Sequence, residues 1–405
     1  MKKSIISGAL AICLTVCLVG CGGGGSNTSS TTAAPAATTA AAQSQAATPA
    51  ADAEPLYIGM AVPLTGDSAM YGETVRDGVQ YGVDEINANG GINGRQIQLV
   101  IEDDKGNTSE AAMVAQKLAE DDRLFCIIGH VNSSCTLVGI PIYADAGLTV
   151  LNTSSSAANI TQQGFTNFFR TVISDDLQAP MMIRHVAENL GEKKVAFLTP
   201  NSDYGLGLLA SAEKAAADYG VEIVGSEMYV PSQDKDFSVQ LAKIKQGEPE
   251  AILILGDYNE AGLILKQMAA AGMGDLDVVT TASCSNEIMI ELAGKENAEG
   301  VYMLGYWDPE RPEPIVQNFV KEFTAAYGHE PDERNAYGYE IPYIIKQAIE
   351  EYGATRDNLS DILREKVEFT GPTGLDKFDQ NGDVTEKMQM VFVIHDGKFT
   401  SWVKE

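Results

Sequence analysis

Leu56-Tyr57-Ile58-Gly59-Met60-Ala61-Val62-Pro63-Leu64 is an apolar run of strand length, and the chain after it changes period. From Tyr71 to Asn89, Val75, Val79, Val83 and Ile86 fall on one face of a helix. Gly90-Gly91-Ile92-Asn93-Gly94 ends that helix and turns the chain. Gln96–Glu102 alternates, with Ile97, Leu99 and Ile101 on one side, and reads as a second strand. A strand, a helix and a strand in that order are the repeating unit of a parallel sheet.

The unit recurs. Thr108–Glu120 reads as a helix with Thr108 or Ser109 as N-cap, Leu124–Ile128 as a strand, Ser133–Ala144 as a helix and Thr149–Leu151 as a short strand. The pattern then restarts with a helix at Ala179–Leu190. Strands follow at Val195–Leu198, Val221–Val224, Ala251–Leu255 and Val278–Thr280, with helices at Gly205–Tyr219, Phe237–Gln246 and Glu260–Ala271 between them. A strand at Val301–Leu304 and long helices at Pro314–Tyr327 and Asn335–Tyr352 come next. Gln380-Asn381-Gly382-Asp383 reads as a type I′ hairpin turn, and Met388–Ile394 as a closing strand. Two successive arrays predict an α/β protein of two Rossmann-like lobes, each with a parallel sheet. The 350 residues from Leu56 to Glu405 are too many for one core and suit two.

The chain upstream has a different character. Lys2 and Lys3 precede a short apolar run, Ile5 to Val19, and Leu18-Val19-Gly20-Cys21 matches a lipoprotein lipobox. Residues 1–20 therefore read as a signal peptide and Cys21 as the lipidated first residue, held on the outer face of the cytoplasmic membrane (cell surface or periplasm). Residues 21–55 read as a flexible linker of Gly, Ser, Thr, Ala, Gln and Pro, with too little apolar side chain to offset its ordering entropy.

Composition narrows the functional classes. The formal charge is −28, and loss of Lys2 and Lys3 makes the mature chain more acidic still, which argues against nucleic acid as a partner. Beyond Cys21 the cysteines are Cys126, Cys135 and Cys284, an odd number that excludes a complete disulfide framework. Cys126 reads as a small core residue, although a Cys126–Cys135 bridge is chemically permitted in this compartment. His130, His185, His329 and His395 are scattered without ligand spacing, so no metal is expected. Gly205-Leu206-Gly207-Leu208-Leu209-Ala210 imitates a dinucleotide fingerprint, with Glu227 downstream. Its glycines lie inside the helix, not in the turn after a strand, so close helix packing explains them better and no cofactor is expected. Neither the S-x-x-K at Ser211–Lys214 nor the acidic turn at Asp379 has its required partners. No nucleophile–base pair emerges, and the protein does not read as an enzyme.

Ligands of open α/β sheets bind beyond the carboxyl ends of the strands. The loops there are Pro63–Tyr71, Gly129–Cys135, Asn152–Ala158, Thr199–Gly205, Gly256–Asn259 and Thr280–Asn286, three from each lobe. The segments Ile58–Gly66, Tyr71-Gly72, Asp84–Arg95, Glu102-Asp103-Asp104, Ile128-Gly129-His130, Asp203-Tyr204-Gly205 and Ala298-Glu299-Gly300 carry a combined resemblance. Together they resemble branched-chain amino acid binding proteins, the type 1 periplasmic binding proteins of ABC transporters. The resemblance covers nearly all of Leu56–Glu405. It implies two lobes joined by a three-segment hinge, with crossings near Ser174–Asp176, Met303–Tyr306 and Phe378–Asp379. Lobe one would be 56–175 plus 304–378, and lobe two 176–303 plus 379–405.

The resemblance also assigns residues. Ser133, with Asn132 before it, matches the position that binds the ligand carboxylate, at a helix start whose free N–H groups favour an anion. A plain N-cap serine is compatible with this role. Ser154, Ser155 and Ser156 match the loop that adds hydroxyl and backbone groups. Tyr71 and Tyr204 match aromatic positions that line the cleft. Two departures stand out. The acid that pairs with the ligand ammonium in the family is missing from Thr281–Asn286, and Gly256 is followed by Asp257 before Tyr258. Either Asp257 replaces the missing acid, because a buried ammonium without a carboxylate is costly, or the ligand is not an α-amino acid. Gly106 and Asn132 stand where some relatives carry a disulfide.

The resemblance implies a monomeric binding protein that captures a small amino acid, with a branched-chain aliphatic one expected, and delivers it to the permease subunits of an ABC importer. A sensor of the same fold, binding an amide, a small organic acid or an aromatic or other neutral amino acid, is the competing expectation.

Overall fold

The computed structural model describes residues 53–403. The predicted leader, Cys21 and the linker as far as residue 52 lie outside the described residues. No helix among the described residues is long and apolar enough to cross a membrane.

In the first lobe β1 (Leu56–Val62), α1 (Ala69–Ala88), β2 (Ile97–Asp103), α2 (Thr108–Ala119), β3 (Leu124–Gly129), α3 (Ser133–Asp145), β4 (Val150–Asn152) and β5 (Phe168–Arg170) follow one another. All five strands are parallel, in the order β2-β1-β3-β4-β5. β1 and β3 lie inside the sheet and are buried almost throughout. Helices cover both faces there, which is why their sequences are apolar runs and do not alternate.

The second lobe contains α4 (Asp175–Arg184), β6 (Lys194–Pro200), α5 (Asp203–Tyr219), β7 (Glu222–Tyr229), α6 (Ser238–Gln246), β8 (Ala251–Ile254), α7 (Tyr258–Ala270), β9 (Asp277–Thr280), α8 (Glu287–Ala293), α9 (Lys295–Ala298) and β10 (Tyr302–Gly305). The chain then forms α10 (Pro314–Tyr327), α11 (Glu333–Tyr352), α12 (Leu359–Glu365), the hairpin β11 (Glu368–Gly371) and β12 (Gly374–Lys377), and finally β13 (Met390–His395) and β14 (Lys398–Ser401). The second sheet runs β14-β13-β10-β9-β8-β6-β7. β13 and β14 are additions at one edge, each antiparallel to its neighbour.

α11 returns to the first lobe and packs along α1. A Cβ on Gly78 would stand 2.2 Å from the Asn335 carbonyl, and one on Gly338 would stand 2.7 Å from that of Val75. Glycine is thus what lets the two backbones touch. The start of α11 is fixed by a capping box, in which Asp332 Oδ1 accepts from Asn335 N–H and Asn335 Oδ1 accepts from Asp332 N–H, both at 2.9 Å.

Some expectations are corrected and others hold. The N-cap of α2 is Asn107, whose side chain accepts from the N–H groups of Ser109 and Glu110. The turn at Asp379–Asp383 is not type I′. Gly382 has φ +88 while Asn381 is absent from the positive-φ residues, and Asp379 Oδ1 accepts from the N–H groups of Asn381 and Asp383. That turn docks on β5, where Arg170 N–H donates to the Gly382 carbonyl at 2.9 Å and the Arg170 guanidinium pairs with Asp383. Lys387, further on, is buried in the first lobe against Asp376 at 2.7 Å. The third crossing therefore comes between Lys387 and β13, later than the expected Phe378–Asp379. The other two lie between β5 and α4 and just after β10. Cys126, Cys135 and Cys284 are free, buried thiols, so Cys126 and Cys135 are not bridged. Gly205 lies in the first turn of α5, where a Cβ would stand 2.2 Å from the Pro200 carbonyl. Close packing is thus the reason for that glycine.

Candidate functional site

All six strand-end loops border one cavity of about 310 Å³ between the lobes. That volume is at the small end for ligand pockets and suits a ligand of amino-acid size.

One side of the cavity is the start of α3. Asn132 is its N-cap residue but makes no side-chain cap bond, so the first N–H groups of the helix are not capped from within. Asn132 Nδ2 donates instead to Ser68 Oγ at 3.1 Å, and among the described residues its Oδ1 is buried without a partner. Ser133 and Ser134 line the cavity beside it. Ser133 Oγ accepts a long bond from Ala157 N–H, 3.4 Å, which ties the helix start to the neighbouring loop.

Asn152 shapes that loop, and sequence reasoning missed it. It is fully buried, its Oδ1 accepts from the N–H groups of Ser154 (2.9 Å) and Ser155 (2.7 Å), and its Nδ2 donates to the Gly129 carbonyl at 3.0 Å. Ser154 and Ser156 consequently face the cavity. Ser155 does not. Its Oγ is buried against Thr136 Oγ1 (2.6 Å) and the Val131 carbonyl (3.0 Å), and its own carbonyl accepts from Arg170. The expected role of the Ser155 side chain is corrected on this ground, because every polar group it carries is engaged within the lobe. Below the loop, His130 Nδ1 bonds Asp104 at 2.6 Å in a fully buried pair.

The opposite side comes from the second lobe. Asp257 precedes α7 as its N-cap, yet its carboxylate does not cap the helix. It accepts from the Tyr71 hydroxyl at 3.3 Å, and the same hydroxyl lies 2.6 Å from the Ser283 carbonyl. Burial, and then the charge of Glu260, push the Asp257 carboxyl up to about 6, while the positive charge of Arg334 opposes them. Burial also raises the Tyr71 and Tyr204 phenols well above their ordinary value. Tyr204 accepts from Ser283 Oγ at 3.4 Å. The lobes also meet at the rim, through Ser134 Oγ to Asp203 (2.6 Å) and Asn259 Nδ2 to the Asp67 carbonyl (3.3 Å).

The structure thus brings Tyr71, Asn132, Ser133, Ser154, Ser156, Tyr204 and Asp257 to one cavity. It adds Arg334, the second residue of α11, whose guanidinium lies 4.0 Å from the centre of the Tyr71 ring. One signal for Arg334 was present in the sequence. A cation in the first turn of a helix opposes the helix dipole, which marks a residue kept there for another reason. Among the described residues no cluster of His, Cys, Asp and Glu could hold a metal ion.

A two-lobed α/β fold with parallel sheets and an interlobe cavity defines a cleft-type binding protein. The periplasmic binding protein family matches residues 55–398, and the chain belongs to that family. It is 31% identical over 327 residues to the Leu/Ile/Val-binding protein homolog 1 of Brucella suis biovar 1, covering 80% of this chain and 86% of the relative. It is 30% identical over 333 residues to the leucine-, isoleucine-, valine-, threonine- and alanine-binding protein of Pseudomonas aeruginosa, covering 82% and 88%. Among solved structures it resembles LivJ of Streptococcus pneumoniae, a branched-chain amino acid transporter substrate binding protein in complex with isoleucine. That match has TM-score 0.79 and 30% identity over 85% of this chain and 97% of the other. All three are named as binding proteins, and LivJ as the substrate binding protein of a transporter.

Proposed function

We propose that this chain is the extracytoplasmic binding lipoprotein of an ABC importer. It captures an α-amino acid between its lobes and delivers it to the permease as a monomer tethered through Cys21. One arrangement carries this reading: an uncapped helix start with Ser133 on one side of a small cavity, and the Asp257 carboxylate on the other. The first suits an α-carboxylate, through free N–H groups and the helix dipole. The second suits an α-ammonium, which needs a carboxylate once it leaves water.

The three crossings act as the hinge, and groups from both lobes surround the ligand, so the closed form is the one a ligand favours. No covalent step is required. The relatives' names make leucine, isoleucine and valine the first ligands to titrate. Calorimetry on ligand-stripped protein tests the reading. Tight one-to-one binding of an α-amino acid is expected, with its des-amino analogue at least tenfold weaker. Equal binding of the two would refute the role given to Asp257.

A further inference from the structure

The wall of the cleft is far more polar than an aliphatic side chain requires. Apart from the tyrosine rings, only Val131, Pro200 and Pro231 offer apolar side chains among its lining residues. An aliphatic ligand would cover serine, asparagine and carboxylate groups and return them nothing, which is an unfavourable exchange for buried polar groups.

Arg334 gives the polarity a direction. Its guanidinium lies over the Tyr71 ring; the charges of Asp332, Glu333 and Asp257 act on it, but among the described residues none of these carboxylates forms an ion pair with it. It borders both the main cavity and a small recess of about 20 Å³ that continues it, lined also by Ser154, Ser156 and Ser283. A guanidinium carries five N–H donors in a planar fork and cannot lose its charge. In an enclosed cleft those donors call for an acceptor.

Glu260 also lines the cavity and Glu333 the recess, but Glu260 accepts from Ser232 N–H and pairs with Lys235, Glu333 accepts from Tyr306 N–H, and Asp67 is exposed at the rim. The cleft therefore offers a ligand two points that favour an anion or a strong acceptor, the start of α3 and Arg334, and one that favours a cation, Asp257. A zwitterion with an aliphatic side chain satisfies one of each and gives the guanidinium no hydrogen-bond acceptor. We propose that the ligand is an amino acid whose side chain ends in a carboxylate or carboxamide oxygen, and that Arg334 is the residue that selects it. The inference rests on the amino-acid reading above. Aspartate, glutamate, asparagine and glutamine share this chemistry, and a ring-stacked arginine fork serves either terminal group.

The test is calorimetric titration of the full-length chain in detergent, stripped of ligand by unfolding and refolding. Those four amino acids are compared with leucine, isoleucine, valine and the des-amino acids. At least one of the four is expected to bind tenfold or more tightly than any aliphatic amino acid, and comparison within the four separates charge from amide recognition. Arg334→Leu should lose at least tenfold for that ligand and narrow or reverse the preference over leucine. Arg334→Lys keeps the charge without the fork, serves as the control should the leucine variant fail to fold, and should bind several-fold more weakly. Tighter binding of leucine, isoleucine or valine by the wild-type protein overturns the inference and leaves the amino-acid reading standing. So does unchanged affinity in folded Arg334 variants. Binding of des-amino acids alone overturns both.

Discussion

Replacing Asp257 by asparagine should change binding and stability in opposite directions. The side chain keeps its size, and the carboxamide oxygen of the variant could still accept from the Tyr71 hydroxyl, which also bonds the Ser283 carbonyl. What disappears is the charge facing the ligand ammonium. Removing one partner of a buried, hydrogen-bonded charge pair costs about 2–5 kcal/mol. That corresponds to a rise in Kd of roughly thirtyfold to several thousandfold. Stability of the unliganded protein should move the other way. Burial raises this carboxyl from 3.8 to about 6, so its folded pKa lies above its unfolded one. Above pH 6 the ionised form therefore opposes folding, by as much as about 3 kcal/mol. Asparagine does not ionise and should raise the unfolding midpoint at pH 7. The pH profile gives a third reading. Wild-type affinity should fall about tenfold per unit as pH drops below 6, since the proton then competes with the ammonium, whereas Asp257→Asn should be flat over that range. Calorimetry from pH 5 to 8 and urea unfolding measure all three. A variant that binds within threefold of wild type at pH 7 would refute the assignment of Asp257.

Other outcomes follow from packing and chemistry. Lys387 lies buried 2.7 Å from Asp376 and 3.6 Å from Glu340, and burial pushes both carboxyls up. Lys387→Met should cost about 3–5 kcal/mol in urea unfolding at pH 7. The cost should shrink at lower pH, where the stranded carboxyls take up protons. Cys126, Cys135 and Cys284 are buried and unpaired, so a thiol reagent should label none of them in the native protein and all of them in denaturant. Cys21→Ser should move the protein from the membrane fraction to the soluble fraction and abolish its labelling by radioactive fatty acid. Retention in the membrane fraction would remove the lipoprotein assignment.

The alternation of strand and helix was legible because interior parallel strands carry apolar runs, as β1 and β3 do. The six strand-end loops were legible for the same reason, since they follow from where each strand stops. β5 and the β11–β12 hairpin were missed, being three and four residues long with no periodicity to count. Three adjacent serines look alike in sequence. Asn152 holds the backbone so that Ser154 and Ser156 face the cleft while Ser155 turns inward. Arg334 reaches the cleft through contact of α11 with α1, a pairing of distant segments that no local pattern reports. The late third crossing likewise depends on Arg170 and Lys387 finding partners far along the chain.

The ties between the lobes have a kinetic consequence. The hydrogen bonds among them, Tyr71 to Asp257 and to the Ser283 carbonyl, Ser134 to Asp203, and Asn259 to the Asp67 carbonyl, are exchangeable polar contacts, and the edge-to-face Tyr71–Tyr258 ring pair is an apolar contact beside them. Water can replace each of the polar partners at little cost, whereas an apolar seam would have to expose oily surface before it parted. Such a clasp is quick to undo. The dwell time of the shut form is then governed by the molecule held inside, and handing over the cargo requires no separate force to prise the halves apart.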